Sequence, residues 1–303
     1  ALWIGFALII GLMLIVDLGL AQRKAHVVSF KEAAAWSLGW FAVAMLFNAA
    51  IYQMRGAVAA KQFFAGYLLE LSLSVDNLFV FIMVFGYFGV GPLLQPRVLH
   101  WGILGAQIMR MLFIWAGVAL IQTFSWMIYV FGAMLIYTGA KMALHKEDEE
   151  VDPRRNPLLR LFKKFMPFSQ EFAGDKFFVK AGRGIMATPL FATLLVIEAS
   201  DVIFALDSIP AIIAITPDPM IVYTSNIFAI CGLRSLYFLL AGLMGMFSYL
   251  KIGVSLILCF VGVKMLISSI YHIPIDFSLG MIAGILAVCV AASWAVGPEV
   301  ETA

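Results

Sequence analysis

Long apolar runs, broken at short intervals by charged or turn-forming residues, dominate the chain from one end to the other. A helix that crosses a bilayer needs about 20 mostly apolar residues. Runs of that length fall at roughly 1–20, 34–53, 62–87, 97–121, 125–144, 187–215, 220–243, 251–271 and 276–296. They predict an all-α, polytopic membrane protein of about nine transmembrane helices. Gly91-Pro92, Pro217-Asp218-Pro219 and Ile273-Pro274 supply turn signals between several of the runs. No polar stretch is large enough for a second core, so residues 1–303 read as a single transmembrane domain.

Composition agrees with this pattern. Apolar residues make up 63% of the chain and charged residues 13%, with a mean hydropathy of +0.99. A soluble domain is closer to half apolar and a quarter charged. The net charge of +2 and the lack of a basic stripe exclude a nucleic-acid partner. Cys231, Cys259 and Cys289 lie inside apolar runs at spacings that fit neither a zinc motif nor a disulfide framework. They read as packing residues.

Lysine and arginine set the expected orientation. With the N-terminus outside, the inward connections hold Arg23, Lys24, Lys31, Arg97, the basic residues of 145–186 and Lys251, against Arg55 and Lys61 outside. The C-terminus is then cytoplasmic. Arg23 and Lys24 follow the first run and no basic segment precedes it, which favours a retained helix over a cleaved signal. Residues 145–186 form a cytoplasmic linker loop, acidic at Glu147-Asp148-Glu149-Glu150 and basic at Arg154-Arg155 and Lys163-Lys164. It reads equally as a solvated linker or as a short amphipathic piece on the leaflet, built on Leu158, Leu159, Leu161, Phe162, Phe165 and Phe168.

The chain also resembles itself. Val75-Asp76-Asn77-Leu78 matches Leu206-Asp207-Ser208-Ile209, and Gly105-Ala106-Gln107-Ile108-Met109-Arg110 matches Ala229-Ile230-Cys231-Gly232-Leu233-Arg234. Gly139-Ala140-Lys141-Met142 matches Gly262-Val263-Lys264-Met265 in the same order. The two units, 62–144 and 187–271, correspond to the third to fifth and the sixth to eighth spans. Three helices is an odd number, so the units enter the membrane from opposite sides. An inverted repeat with polar residues near the midplane is the pattern of many secondary transporters.

Within the repeat Glu70 pairs with Asp201 and Asp76 with Asp207, while Glu198 has no acidic counterpart. Ionisable groups at bilayer depth cost at least about 2.5 kcal/mol each, which makes them functional candidates. Glu198 and Asp201, three apart, share one helix face. Residues six apart are turned by about 240° on a regular helix. A compact site therefore requires the helices to be interrupted between Glu70 and Asp76 and between Asp201 and Asp207. Ser72, Ser74 and Asn77, with Ser200, Ser208 and Pro210, are residues able to support such a break.

The candidate metal ligands are therefore Glu70, Asp76, Asn77, Glu198, Asp201 and Asp207, supported by Ser74, Ser200 and Ser208. His26, His100, His145 and His272 fall in loops or near helix ends, and oxygen-only ligands suit Mn²⁺, Ca²⁺ or Mg²⁺ rather than zinc or copper. Arg110 and Arg234 lie within spans, and internal ion pairing with these acids is the structural alternative. Five acids against two deep arginines leave a negative surplus for a divalent cation or protons to offset. Asp17 and Asn48 read as helix-packing groups.

At these residues the chain resembles the TerC family of integral membrane proteins, within the wider group of LysE-type exporters. The strings that carry the resemblance are Leu69-Glu70-Leu71-Ser72-Leu73-Ser74-Val75-Asp76-Asn77, Glu198-Ala199-Ser200-Asp201-Val202-Ile203-Phe204-Ala205-Leu206-Asp207-Ser208-Ile209-Pro210 and Thr224-Ser225-Asn226-Ile227-Phe228-Ala229-Ile230-Cys231-Gly232-Leu233-Arg234. The resemblance implies a bacterial inner-membrane exporter of Mn²⁺ from a family named for tellurite resistance, with the six candidate ligands as its metal site. The residues alone give only "hard divalent cation or proton".

The expectation is a secondary transporter that exports Mn²⁺ by alternating access in exchange for protons. Ca²⁺ is a second candidate substrate. A cation channel, and a membrane-embedded partner or assembly factor linked to tellurite resistance, are the alternatives. The lipid bilayer, the cation and protons are the expected partners, and the oligomeric state is open. No organic cofactor is expected, and no nucleophile–base set suggests an enzyme.

Overall fold

The computed structural model describes residues 4–6, 8–12, 28–144, 159, 162, 166–169, 171–181, 184–241, 249–271 and 273–296, with the backbone alone described for Asp76, Leu250, Lys251 and Val296. The architecture is all-α. Nine helices and one small hairpin make up the named elements among these residues. They are α1 (Phe30–Arg55), α2 (Ala57–Phe88), α3 (Gln95–Thr123), α4 (Met127–Leu144), β1 (Phe178–Ala181), β2 (Gly184–Ala187), α5 (Pro189–Ile213), α6 (Pro219–Cys231), α7 (Leu233–Ala241), α8 (Leu250–Ile267) and α9 (Ile275–Val296).

Six of the helices are long and apolar enough to cross a bilayer, and α6 with α7, bent by 44° at Gly232, makes a seventh span. The long apolar run of α8 is shorter. Every expected span from 34–53 onward thus overlies helix, including 251–271 on α8 and 220–243 on the bent pair. The expected first span and Asp17 lie mostly outside the described residues, with helix at residues 4–6 and 8–12.

Local chemistry places the ends. Ser29 accepts a hydrogen bond from the Glu32 N–H at 3.3 Å, an N-cap for α1 with the acid three residues on. Asp218 caps α6 in the same way through the Met220 N–H at 3.0 Å, with Pro219 at the first helical position. Gly89, at φ +66°, supplies the left-handed turn that stops α2.

The linker corrects one expectation. Its last part is an antiparallel hairpin of β1 and β2, with Phe178 opposite Ala187 and Ala181 opposite Gly184. Ala187 N–H donates to the Pro167 carbonyl, and the Thr188 hydroxyl lies within hydrogen-bond reach of the Lys176 and Phe177 carbonyls. Arg97 at the start of α3 pairs with Asp175 and lies over the Phe177 ring at 5.6 Å. The hairpin therefore joins the first turns of α3 and α5. The amphipathic piece placed near residues 158–165 lies almost wholly outside the described residues, and Phe168 forms a bridge to Ala187.

Helix packing relies on small residues and aromatic rings, since lipid provides no hydrophobic force between spans. The α4–α8 crossing is the tightest. A methyl on Gly262 would sit 2.7 Å from the Gly132 carbonyl oxygen, and one on Gly132 would sit 3.0 Å from that of Gly262. Phe47, Phe63 and Phe228 knit α1, α2 and α6, with ring centroids 4.9 to 6.1 Å apart. Helices α2 and α3 each pack on both α5 and α6. Bulky residues such as Leu46, Ile108, Trp115 and Trp294 are exposed, as lipid contact requires.

Candidate cation site

The acids lie where α2, α3, α5 and α6 meet. Helix α3 runs parallel to α5: Gly102 approaches Ile197 and Leu194, Gly105 approaches Glu198, and Gly117 approaches Ile209 and Ile213. Glycines on α3 let the α5 side chains come close to its backbone.

Glu70 on α2 is fully buried and held on both oxygens. Arg110 Nη1 on α3 pairs with Oε1, Asn226 Nδ2 on α6 donates to Oε2 at 2.8 Å, and the Ser74 hydroxyl lies 3.4 Å from Oε1. The same Nη1 lies 3.3 Å from the Ser208 hydroxyl and 3.4 Å from Asn226 Oδ1. Arg110 is 1% exposed and Glu70 0%, so this ion pair is shielded from water. Its desolvation cost is high and is offset only because hydrogen bonds surround it. The sequence-based alternative of internal pairing thus holds for Glu70.

Asp201 on α5 differs. It is 4% exposed, its Oδ1 has no hydrogen-bond partner, and the charges of Arg110 and Glu70 act on it. Arg110 spends Nη1 on Glu70, and its Nε and Nη2 have no partner. Glu198 lies one turn earlier on the same face, half-buried, with its carboxylate against Gly105 and its charge acting on Asp201. Asn77 is buried on α2, its Nδ2 without a partner. When ionised, Glu70, Glu198 and Asp201 against Arg110 leave two negative charges, which a divalent cation balances.

The two expected helix interruptions are absent. Helix α2 is α-helical throughout Ala57–Phe88 and α5 throughout Pro189–Ile213. The serines explain why they fail to break the helices. Ser72 donates to the Leu68 carbonyl at 2.7 Å and Ser200 to the Val196 carbonyl at 2.9 Å, each folding back by one turn. Pro210 sits near the end of α5, where the lost N–H leaves little helix to disturb. With α5 regular, Asp207 is turned away from Asp201 and accepts a hydrogen bond from Thr138 on α4 at 2.9 Å. Asp207 therefore stands outside the buried centre. The Asp76 side chain lies outside the described residues, and Arg234 is half-buried near the start of α7.

Among the described residues no three His, Cys, Asp or Glu side chains converge on one point as a ready metal cage. Glu198, Asp201 and Asn77 are the members of the expected ligand set with oxygen or amide groups still to engage. Sequence reasoning missed Asn226 as Glu70's second partner. Its signal was present in the polar triplet Thr224-Ser225-Asn226 inside an apolar helix. Gly105 and Thr138 carried no chemical signal of their own.

Comparison with known proteins settles the family. Residues 54–300 match the model of the integral membrane protein TerC family, and the chain belongs to it. A membrane protein of Myxococcus xanthus, STKORF319, described as uncharacterized, is 49% identical over 292 residues, covering 96% of this chain and 91% of its own. A proposed membrane-bound redox modulator, Alx, of Escherichia coli K12 is 50% identical over 294 residues, covering 94% of this chain and 91% of its own. Its counterpart in Salmonella typhi is 48% identical over 296 residues, covering 95% and 92%. No solved structure matches. The chain is a multi-pass integral membrane protein.

Proposed function

We propose that this protein is a secondary transporter that exports Mn²⁺ across the bacterial inner membrane by alternating access, exchanging the ion for protons. The observation that carries the reading is Asp201: a buried carboxylate on a spanning helix, with a free oxygen, one turn from Glu198, while the nearest cation is committed to Glu70. An uncompensated charge pair in such a place is costly, and a hard divalent cation removes the cost. Glu198 and Asp201 hold the ion, Asn77 adds its amide oxygen, and Arg110 keeps Glu70 neutralised nearby. Asp207, bonded to a hydroxyl on α4, stands further along the α5 path. Asp76 belongs to the same proposal through the family resemblance.

The helix packing supports an inverted repeat of 62–144 and 187–271. The first helix of each unit packs on the second of the other, as α2 with α6 and α5 with α3, and the third helices α4 and α8 pack on each other. A pseudo-two-fold axis produces this reciprocity. The orientation with the N-terminus outside follows the basic residues.

The redox role named for the relatives suggests a second reading. Cys231, Cys259 and Cys289 lie on α6, α8 and α9 with no disulfide between them, so a redox effect here fits a redox-active ion better than thiol exchange. Ca²⁺ is the competing substrate, and a channel the competing class.

The test is Mn²⁺ flux in proteoliposomes holding the purified full chain, with and without a pH gradient. Saturable, gradient-dependent flux supports the exchanger, and linear flux indifferent to the gradient supports a channel. Intact flux in a folded Asp201→Asn variant would sink the site. Repeating the assay with Ca²⁺ and Mg²⁺ sets the selectivity.

A further inference from the structure

Glu198 is the acid that the repeat does not duplicate, and its seat is unusual. Its carboxylate lies on the backbone of α3, and a methyl group on Gly105 would overlap its Cδ and both oxygens, the farthest of them, Oε2, at only 2.5 Å. Real Cβ atoms essentially never approach so closely, so an alanine at 105 shifts the carboxylate, the flexible end of its side chain, off this seat. The first-helix match that pairs Glu70 with Asp201 sets Tyr67 against Glu198, and the separate second-helix match sets Ala229 against Gly105. Where the second helix carries a buried methyl, Ala229, the first-helix position matched to Glu198 is the buried Tyr67 and not an acid.

We infer that Gly105 is a positioning residue, whose missing side chain seats the Glu198 carboxylate beside Asp201 so that the pair takes a divalent cation. The inference rests on the transport reading for the role of that pair, but the seating itself does not depend on it. Gly102 and Gly117 also lie against α5, yet their hypothetical methyls meet apolar carbons at 3.2 to 3.3 Å, a close contact that those side chains relieve by giving a few tenths of an ångström. Only Gly105 faces a charged group among these three. Its smallness therefore serves a carboxylate, whereas theirs serves helix packing.

Two readouts on the full chain test this. In proteoliposomes, Gly105→Ala is expected to slow Mn²⁺ flux by about 100-fold, the scale of a 1 Å misplacement of a reacting group. Adding Glu198→Asp withdraws the carboxylate by one methylene and is expected to bring the flux to within about threefold of the Glu198→Asp variant alone. The second readout needs no transport. The O–H of a carboxylic acid adds across a C=N bond of dicyclohexylcarbodiimide, the proton going to nitrogen and the oxygen to carbon. The O-acylisourea then rearranges by O→N acyl shift to an N-acylurea, which mass spectrometry locates on Glu198. Its labelling rate is expected to change severalfold in Gly105→Ala.

Unchanged labelling and unchanged flux in Gly105→Ala overturn the inference, as does a double variant that falls as far below Glu198→Asp alone as Gly105→Ala falls below the wild type. If Gly105→Ala changes the labelling while the wild-type protein itself moves no Mn²⁺, the seating stands and the transport reading is overturned instead. If Gly105→Ala unfolds the protein, Gly105→Ala with Glu198→Ala is expected to regain the wild-type melting temperature, because the clashing group is gone. Failure to regain it means that Gly105 serves packing alone and overturns the inference.

Discussion

The two acidic helices, α2 and α5, solve the problem of a buried carboxylate in opposite ways. Glu70 on α2 is surrounded: a guanidinium, an amide and a hydroxyl reach it from three helices. Asp201 on α5, at nearly the same depth of burial, keeps an oxygen unengaged and has Glu198 for a neighbour. A buried charge that is fully paired holds structure, and one that is not paired must find its counter-charge elsewhere. Glu70 and Asp201, matched in the repeat, therefore part ways: the first is engaged on both oxygens, while the second, beside Glu198, keeps one unengaged.

The division predicts contrasting mutants. Removing the cation from the satisfied side has the largest effect. Arg110→Met strands Glu70 as a lone buried charge and is expected to lower stability by about 3–5 kcal/mol. Adding Glu70→Gln should recover most of that, read as chemical denaturation of the detergent-solubilised protein. If Arg110→Met proves as stable as wild type, Glu70 is not the structural member.

Asp201→Asn is the counterpart. It removes an uncompensated charge without changing shape, so the melting temperature is expected to hold or rise. Mn²⁺ affinity by calorimetric titration should fall beyond the roughly 10–100-fold typical of a metal's outer partners. A large loss of stability with unchanged affinity would reverse the two roles.

Smaller effects mark the edges of the comparison. Thr138→Val removes the hydroxyl that Asp207 accepts from, and about 0.5–1.5 kcal/mol of stability is expected to go with it. Mn²⁺ affinity should stay within about threefold, since Asp207 lies outside the buried centre. Lys61→Gln breaks the 2.5 Å ion pair with Asp276, whose members are 43% and 66% exposed. Such exposed pairs contribute at most about 1 kcal/mol, so little change in melting temperature and none in flux is expected.

Much of this was legible in the sequence, for a physical reason. A bilayer demands an apolar run for each span and penalises each misplaced charge, so spans and deep acids stand out without any alignment. What the sequence could not supply was how far each acid was already satisfied. Arg110 was visible as a candidate partner for all the acids, but Asn226 chose Glu70 through a contact between helices far apart in the chain. The expected breaks in α2 and α5 failed on a local ambiguity. Ser72 and Ser200 can loosen a helix or bond back into it, and tertiary packing chose the second. The hairpin in the linker escaped notice because its strands are only four residues each.

That hairpin has a mechanical consequence. It fastens the first turn of α3, through Arg97 and Asp175, to the first turn of α5, through Thr188 and Ala187. The ion pair in that tie is 43% and 60% exposed and contributes at most about 1 kcal/mol, so its part is to set register and not to add strength. The same register runs on through Gly102 against Ile197, Gly105 against Glu198 and Gly117 against Ile213. A segment that looks like a mere connection thus helps to decide which glycine faces the acid.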